Sequence, residues 1–284
     1  MNINLVKKHP LIAYIVLAYF FSWSLWIIAA VGETPSTFLT WIGGFGPAIS
    51  AFILTAILEG RSGLSHLLSK GFVWKIRPLM FLAALGLPVI GTVALIALYA
   101  LFSRDLTPLQ SLGIWLIGLW KNGGVLVLTM LLGLVIVAGE EFGWRGYALQ
   151  KLRTDHTDLG ASIGVGIIWG FWHMPNLWPF QPKHDALDLL LFISDILAIS
   201  ILYTWLYINS RESILLVSVF HSAYDVMVMY ASASLPFLRA TRGFELLVLV
   251  IMACFIVVCY GPRRFRFKPE GAHMQPGEGV PITP

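Results

Sequence analysis

The chain of 284 residues is too apolar for a water-soluble globule, since 57% of its residues are hydrophobic and only 12% are charged. Such a composition leaves too little polar surface to cover a soluble domain and is typical of polytopic helical membrane proteins. The formal net charge of +4 does not indicate nucleic-acid binding, because the basic residues cluster at the ends of apolar segments, where anionic lipid headgroups attract them. We therefore expect a multi-pass integral membrane protein.

Eight apolar segments are long enough to cross a bilayer as helices. A spanning helix needs about 20 predominantly apolar residues. The segments cover residues 11–31, 38–58, 79–103, 122–143, 160–178, 187–208, 213–231 and 243–261. The stretch 104–121 mixes apolar residues with polar residues and glycines, and it predicts either an interfacial amphipathic helix or an extension of the fourth span. The fold class predicted is an all-α transmembrane bundle of about eight spans.

Lysine and arginine are distributed unevenly between the two sides of this predicted bundle. An orientation with the N-terminus inside places most of them in cytoplasmic segments, as the positive-inside rule requires. Both termini are then cytoplasmic. We predict one membrane-embedded domain over residues 1–268, and the tail 269–284, rich in Gly and Pro, is expected to be disordered.

Two adjacent glutamates, Glu140 and Glu141, follow the apolar run 123–139. Ionisable groups at bilayer depth cost about 2.5–3.5 kcal/mol on insertion scales, so they indicate a function. On a helix Glu141 shares a face with Arg145, whereas Glu140 points about 100° away. This spacing predicts that Arg145 binds Glu141 while Glu140 accepts a proton from water. The alternative is a helix end at which both glutamates are solvated.

A second polar site lies in the fifth apolar segment, where His173 follows Trp169 by one helical turn. Pro175 limits the helix shortly after the histidine. The alternative to a functional histidine is an aromatic belt at the membrane interface, to which Trp172 and Trp178 would contribute.

A third polar site lies in the seventh apolar segment, where His221 and Asp225 occupy one helix face. Two ionisable groups in mid-span usually pair and face the interior of the bundle. The aspartate can orient the imidazole and leave its other nitrogen for a ligand or an intermediate. A purely structural hydrogen bond is the alternative.

The three motifs, in this order on successive apolar helices, resemble those of the CPBP intramembrane proteases. That family includes the type 2 CAAX prenyl endopeptidases and the bacterial Abi and bacteriocin-immunity proteins. The resemblance covers about 123–231, with Trp169 where the family often has Phe and Asp225 where the prenyl-protease branch typically has Asn. The matching residues are Glu140, Glu141, Arg145, Trp169, His173, His221 and Asp225.

The resemblance implies an intramembrane endopeptidase that hydrolyses a peptide bond of a membrane-associated protein, with CAAX-type lipidated substrates among the candidates. Glu140 would activate water, His173 would position it and His221 would stabilise the oxyanion. The supporting residues would be Glu141, Arg145 and Asp225. The expected partners are a membrane protein or lipidated peptide and the lipid bilayer, with no nucleic acid. The expected location is the membrane of a prokaryotic cell.

No cofactor is favoured, because the glutamate pair and Arg145 satisfy one another without an ion. The alternative is a zinc ion held by Glu140, His173 and His221 with water in the fourth position. The chain contains no H-E-x-x-H string to support a zinc site.

Two other functions remain open at this stage. The first is a non-catalytic membrane adaptor or immunity-type protein, and the second is a proton-coupled transporter. A transporter would use a relay of ionisable side chains within the membrane. The candidates for such a relay are Glu140, Asp195, His221 and Asp225.

The predicted span ends place the three motifs at different depths. With about 1.5 Å of rise per residue, Glu140 would lie about 5 Å, His221 about 12 Å and His173 about 20 Å from the cytoplasmic face. A fourth span that continues beyond Tyr147 would move Glu140 inward.

Overall fold

The structure, a computed structural model, describes residues 3–31, 36–177, 186–235, 237 and 242–266. Within these residues the chain is helical and contains no strand, so the predicted all-α polytopic bundle is confirmed. The helices are α1 (Ile3–Lys8), α2 (Pro10–Val31), α3 (Thr37–Gly43), α4 (Gly46–Ser69), α5 (Pro78–Ser103), α6 (Thr107–Lys121), α7 (Gly123–Gly143), α8 (Leu149–Leu152), α9 (Asp158–Trp172), α10 (Met174–Leu177), α11 (Ala186–Asn209), α12 (Ile214–Ser234) and α13 (Arg242–Tyr260). The predicted tail 269–284 lies outside the described residues.

In the described ranges, seven helical segments are long and apolar enough to cross a membrane. They are Pro10–Val31, Thr37–Phe72, Pro78–Ser103, Gly123–Leu152, Ala186–Asn209, Ile214–Ser234 and Gly243–Tyr260. The predicted span 160–178 corresponds to the 15-residue helix α9 and the turn after it, and its last residue lies outside the description. The total of eight spans and the cytoplasmic position of both termini therefore stay predictions.

The stretch 104–121 forms a separate helix rather than an extension of the fourth span. Helix α6 ends at Lys121, and Asn122 separates it from α7. Its two faces differ strongly, since Trp115 is 2% exposed while Trp120 is 89% exposed. The exposed face carries apolar side chains, among them Ile114 and Ile117, so the predicted interfacial amphipathic helix stays a prediction.

The predicted end of the fourth span was wrong. The helix does not stop at Gly143 but continues through a π-helical turn, Trp144–Ala148, to Leu152. Charged residues suggested a helix end at the surface, but here their partners lie inside the bundle, so the helix continues. Glu140 precedes Leu152 by twelve residues, about 18 Å along the axis. The glutamates are therefore well inside the span, and the depth mismatch disappears.

Helix packing brings the three motifs together. Helix α12 packs against α7, so the third motif faces the first, and α9 packs against α11 beside them. Helix α4 supports the other side of α7. The polar site therefore lies among α7, α9, α11 and α12.

Gly143 and Gly146, just after the two glutamates, are in close contact with neighbouring helices. A Cβ atom at Gly146 would lie 2.8 Å from Leu67 Cδ1 and 3.0 Å from Ile214 Cδ1. A Cβ atom at Gly143 would overlap Pro47 and the Tyr14 hydroxyl. The absence of a side chain at these positions lets α2 and α4 approach the helix that carries the site.

We expect Gly143→Ala to lower the stability of the protein by about 1–3 kcal/mol, because the added methyl group overlaps backbone and ring atoms that cannot move freely. The measurement is thermal unfolding of detergent-solubilised protein. Gly86→Ala in α5 is the matched control, since nothing lies within 4 Å of a Cβ atom there and Ala favours a helix over Gly. Equal melting temperatures for the two variants would contradict the prediction.

An ion-pair network joins the ends of four helices and the C-terminal segment. Glu212, between α11 and α12, binds Lys70 Nζ at 2.8 Å and Arg153 Nη1 at 3.2 Å. Arg153 also binds Asp158 Oδ1 at 2.7 Å, and Asp158 Oδ2 accepts the backbone N–H of Phe265 at 2.9 Å. The Phe265 side chain is fully buried. The network thus anchors the segment after α13 to the start of α9.

This network makes the stability of the protein depend on pH at acidic values. Burial alone would raise the pKa of the Glu212 carboxyl, but Lys70 and Arg153 outweigh burial and hold the pKa below its ordinary value of 4.5. A lowered pKa stabilises the fold above the ordinary value, and this contribution is lost as the pH falls through the pKa of the folded protein.

We therefore expect wild type to have a higher melting temperature than Glu212→Gln at neutral pH. The difference should be constant down to about pH 5 and should shrink at lower pH, because the carboxyl then becomes protonated. The measurement is a series of thermal unfolding curves for both proteins between pH 7 and pH 3. A difference that grows on acidification would refute the assigned role of Glu212.

Candidate active site

Glu141 is the centre of a buried ionic cluster. Its Oε1 atom accepts a hydrogen bond from Arg145 Nη1 at 2.9 Å and lies 2.8 Å from Nδ1 of His221. The side chains of Glu141 and Arg145 are fully buried, and that of His221 is 7% exposed. The ion pair predicted from the helical spacing is present, and the solvated helix end considered as its alternative was wrong.

Aromatic rings enclose the guanidinium group of Arg145. Its Cζ atom lies 4.6 Å from the ring centroid of Trp169 and 4.0 Å from that of Tyr203. Cations are attracted to the faces of aromatic rings, and the attraction is stronger away from water. The two rings therefore help to hold Arg145, and through it Glu141, in one position.

Glu140 has a different hydrogen-bond partner from Glu141. It is 9% exposed, and its Oε2 atom accepts a hydrogen bond from the indole N–H of Trp169 at 2.9 Å. The two glutamates therefore have different partners, on α9 for Glu140 and on α12 for Glu141. This separation agrees with the different tasks predicted for them.

His173 is held through the backbone of the same tryptophan. Its Nδ1 atom lies 2.9 Å from the Trp169 carbonyl oxygen. A carbonyl oxygen only accepts hydrogen bonds, so Nδ1 carries a proton and Nε2 of the neutral ring has the lone pair. The imidazole also contacts the rings of Trp169 and Phe192, at centroid distances of 5.8 and 5.4 Å. Its tautomer therefore leaves Nε2 able to accept a hydrogen bond from water.

The structure corrects the predicted role of Asp225. Its Oδ2 atom lies 3.7 Å from Nε2 of His221, which is within ion-pair range but too long for a hydrogen bond. The Asp225 side chain is 56% exposed. Glu141, from another helix, makes the hydrogen bond that orients His221. Helical spacing put Asp225 on the correct face, but packing put a closer carboxylate beside the imidazole.

Two contacts of the candidate site were not predicted from the sequence. Tyr203 of α11 packs edge-on against His221 and Trp169, with centroid distances of 5.3 Å in both cases. A single tyrosine in an apolar span carries no signal that would single it out. The hydrogen bond from Trp169 to Glu140 was also not foreseen, although the departure from the usual Phe at position 169 could have drawn attention to it.

The zinc alternative stays a prediction. Among the residues that the structure describes, no group of three His, Cys, Asp or Glu side chains is arranged to hold a metal ion. The bonds to His221 and Glu140 engage one nitrogen of the imidazole and one oxygen of the carboxylate, and a metal-bound histidine makes the same kind of bond through its other nitrogen. The reaction proposed below uses protein side chains and water.

The fold and the site define a polytopic membrane protein with a buried glutamate and histidine cluster. A family model described as type II CAAX prenyl endopeptidase Rce1-like matches residues 122–227, which contain every residue of the three motifs. The CAAX prenyl protease 2 of Methanococcus maripaludis is 27% identical over 273 residues, which are 90% of this chain and 96% of that protein. Both similarities support the CPBP family that the three motifs indicated, and with it an intramembrane protease role.

Proposed function

We propose that the chain is an intramembrane endopeptidase in which Glu140 activates the attacking water. The observation that carries this proposal is the position of Glu140, which is almost fully buried and bonded by one oxygen to Trp169. Its other oxygen is not engaged by that bond and can receive a proton. A carboxylate at this depth costs stability, and catalysis is a reason to keep it.

The proposed reaction begins with a water molecule between Glu140 and the scissile carbonyl group. Glu140 takes a proton from the water while the oxygen of that water forms a bond to the carbonyl carbon. The glutamic acid then returns that proton to the amide nitrogen, the C–N bond breaks, and a carboxylic acid and an amine leave. His173 helps to position the water, because its Nε2 atom can accept a hydrogen bond.

His221 is proposed to stabilise the oxyanion that forms on the carbonyl oxygen. In its protonated form the imidazolium carries a positive charge, and Nε2–H can donate to the oxyanion while Nδ1–H donates to Glu141. Arg145 also forms an ion pair with Glu141. Asp225 lies close enough to His221 to favour this protonated form without a direct hydrogen bond.

The substrate is proposed to be a membrane-associated protein, with CAAX-type lipidated proteins as the first candidates. The name of the Methanococcus maripaludis relative, CAAX prenyl protease 2, supports this substrate class. An archaeal relative also supports a prokaryotic cell membrane as the location.

The experiment is a peptidomic comparison of membranes that contain wild type, Glu140→Gln or no copy of the chain. The proposal expects peptides that appear with wild type only. An internally quenched peptide that ends in a farnesylated cysteine and three further residues tests the substrate class directly. The alternative, a non-catalytic adaptor, predicts the same peptides in all three membranes. It also predicts that Glu140→Gln replaces wild type in any cellular function that is lost without the chain.

A further inference from the structure

We infer that Trp169 is a positioning residue, because its indole N–H holds the Glu140 carboxylate in the orientation from which it takes a proton from water. This inference rests on the proposed function and gives a role to the indole N–H of Trp169, which the Phe that the family often has at this position lacks.

The hydrogen bond itself is buried and well formed. Nε1 of Trp169 lies 2.9 Å from Oε2 of Glu140. Trp169 is 3% exposed and Glu140 is 9% exposed, so water competes little for the bond. Hydrogen bonds to charged groups are stronger than neutral ones, especially where water is excluded.

The acceptor distinguishes the Trp169 bond from that of another buried tryptophan. Trp26 is 4% exposed, and its indole N–H donates to the backbone carbonyl oxygen of Thr40 at 2.9 Å. The indole N–H of Trp169 donates instead to a carboxylate, at the same distance. The Trp169 bond therefore acts on a side chain that can take a proton, and not only on the backbone.

The direction of the indole N–H is fixed by its neighbours. The Trp169 ring packs edge-on against His221 at 5.4 Å and against Tyr203 at 5.3 Å, with interplanar angles of 78° and 79°. The guanidinium of Arg145 lies over the same ring. A ring held on several sides cannot rotate without disturbing the cluster, so its N–H group offers one direction to the carboxylate.

A hydrogen bond to one oxygen restricts the orientation of the carboxylate. Burial limits the movement of the rest of the Glu140 side chain, so holding Oε2 limits rotation about the Cγ–Cδ bond and thereby limits where Oε1 points. Catalysis is sensitive to such placement, since a shift of about 1 Å can cost about 100-fold in rate. Phenylalanine, the residue that the family often has at this position, would keep an aromatic ring but would lack the donor.

The test compares Trp169→Phe with wild type, using purified protein in detergent and the farnesylated quenched peptide. If wild type does not cleave that peptide, the assay uses a substrate found in the peptidomic comparison instead. That substrate is one whose fragments appear only in membranes that contain wild type. We expect kcat to fall roughly 10- to 100-fold, because this is the change in rate that corresponds to losing one hydrogen bond to a charged group. KM should stay within about twofold, and the melting temperature should fall by no more than about 12 °C, the most that losing this one hydrogen bond would cause.

Trp115→Phe is the matched control. Trp115 is similarly buried, and the substitution makes the same chemical change, but its indole nitrogen has no hydrogen-bond partner in the part of the chain that the structure describes, and its ring packs on Tyr230 in another part of the core. Its kcat should stay within about twofold of wild type. A similar loss of kcat in both variants would show a general effect of replacing tryptophan and would overturn the inference.

Glu140→Gln separates the inference from the proposed function. If that variant cleaves the peptide normally, the proposed function fails and the inference fails with it. If it is inactive while Trp169→Phe keeps the kcat of wild type, only the inference is overturned. A Trp169→Phe protein that cannot be recovered, or that loses melting temperature in step with kcat, shows a structural role and also overturns the inference.

Discussion

Glu140→Gln should abolish peptide-bond hydrolysis and leave the amount of folded protein in the membrane nearly unchanged. The amide cannot accept a proton from water, and general base catalysis contributes about 10²- to 10⁴-fold to the rate. The side-chain oxygen of glutamine can still accept the Trp169 hydrogen bond, and removing a buried charge does not destabilise the bundle. The measurements are cleavage of the quenched peptide and the abundance of the protein in membranes.

His173→Ala should also abolish hydrolysis while leaving the abundance of the protein nearly unchanged, because it removes the ring that positions the water. The control is Glu59→Gln, since Glu59 is a half-exposed glutamate that pairs with Lys151 rather than with the site. It should keep the activity of wild type. Full activity in Glu140→Gln would rule out the glutamate mechanism, whatever the control shows.

Arg145→Ala should lower the abundance of the protein as well as its activity. The Arg145 and Glu141 side chains are both fully buried and lie 2.9 Å apart. Truncating the arginine leaves the buried Glu141 with His221 as its remaining charged partner, a defect worth up to about 3–5 kcal/mol. We expect a weaker band in membranes and aggregation in detergent, measured by blotting and by size-exclusion chromatography.

Lys151→Ala is the matched control for the loss of a cation from the same helical region. Lys151 and Glu59 also lie 2.9 Å apart, but their side chains are 29% and 44% exposed. A pair that water can reach is worth about 0–1 kcal/mol, so abundance should hardly change. Equal abundance of the Arg145 and Lys151 variants would contradict the importance of the buried pair.

Apolar segments and helical spacing in the sequence were enough to predict the fold class and the ion pair between Glu141 and Arg145. Long apolar runs must form helices in a bilayer, because every backbone polar group there needs an internal partner. The i, i+4 spacing of Glu141 and Arg145 was enough to predict their pair, since neighbours on one helix face depend only on local geometry. The order of the three motifs was enough to recognise the family.

Tertiary structure alone decided which groups meet across the helices. Glu140 binds Trp169 from 29 positions away, and His221 binds Glu141 from 80 positions away. Such contacts depend on how each helix is rotated and how far it extends, and local periodicity specifies neither. The same reason explains the wrong span end at Gly143. The charges that suggested a surface find their partners on α9 and α12, so the helix continues to Leu152.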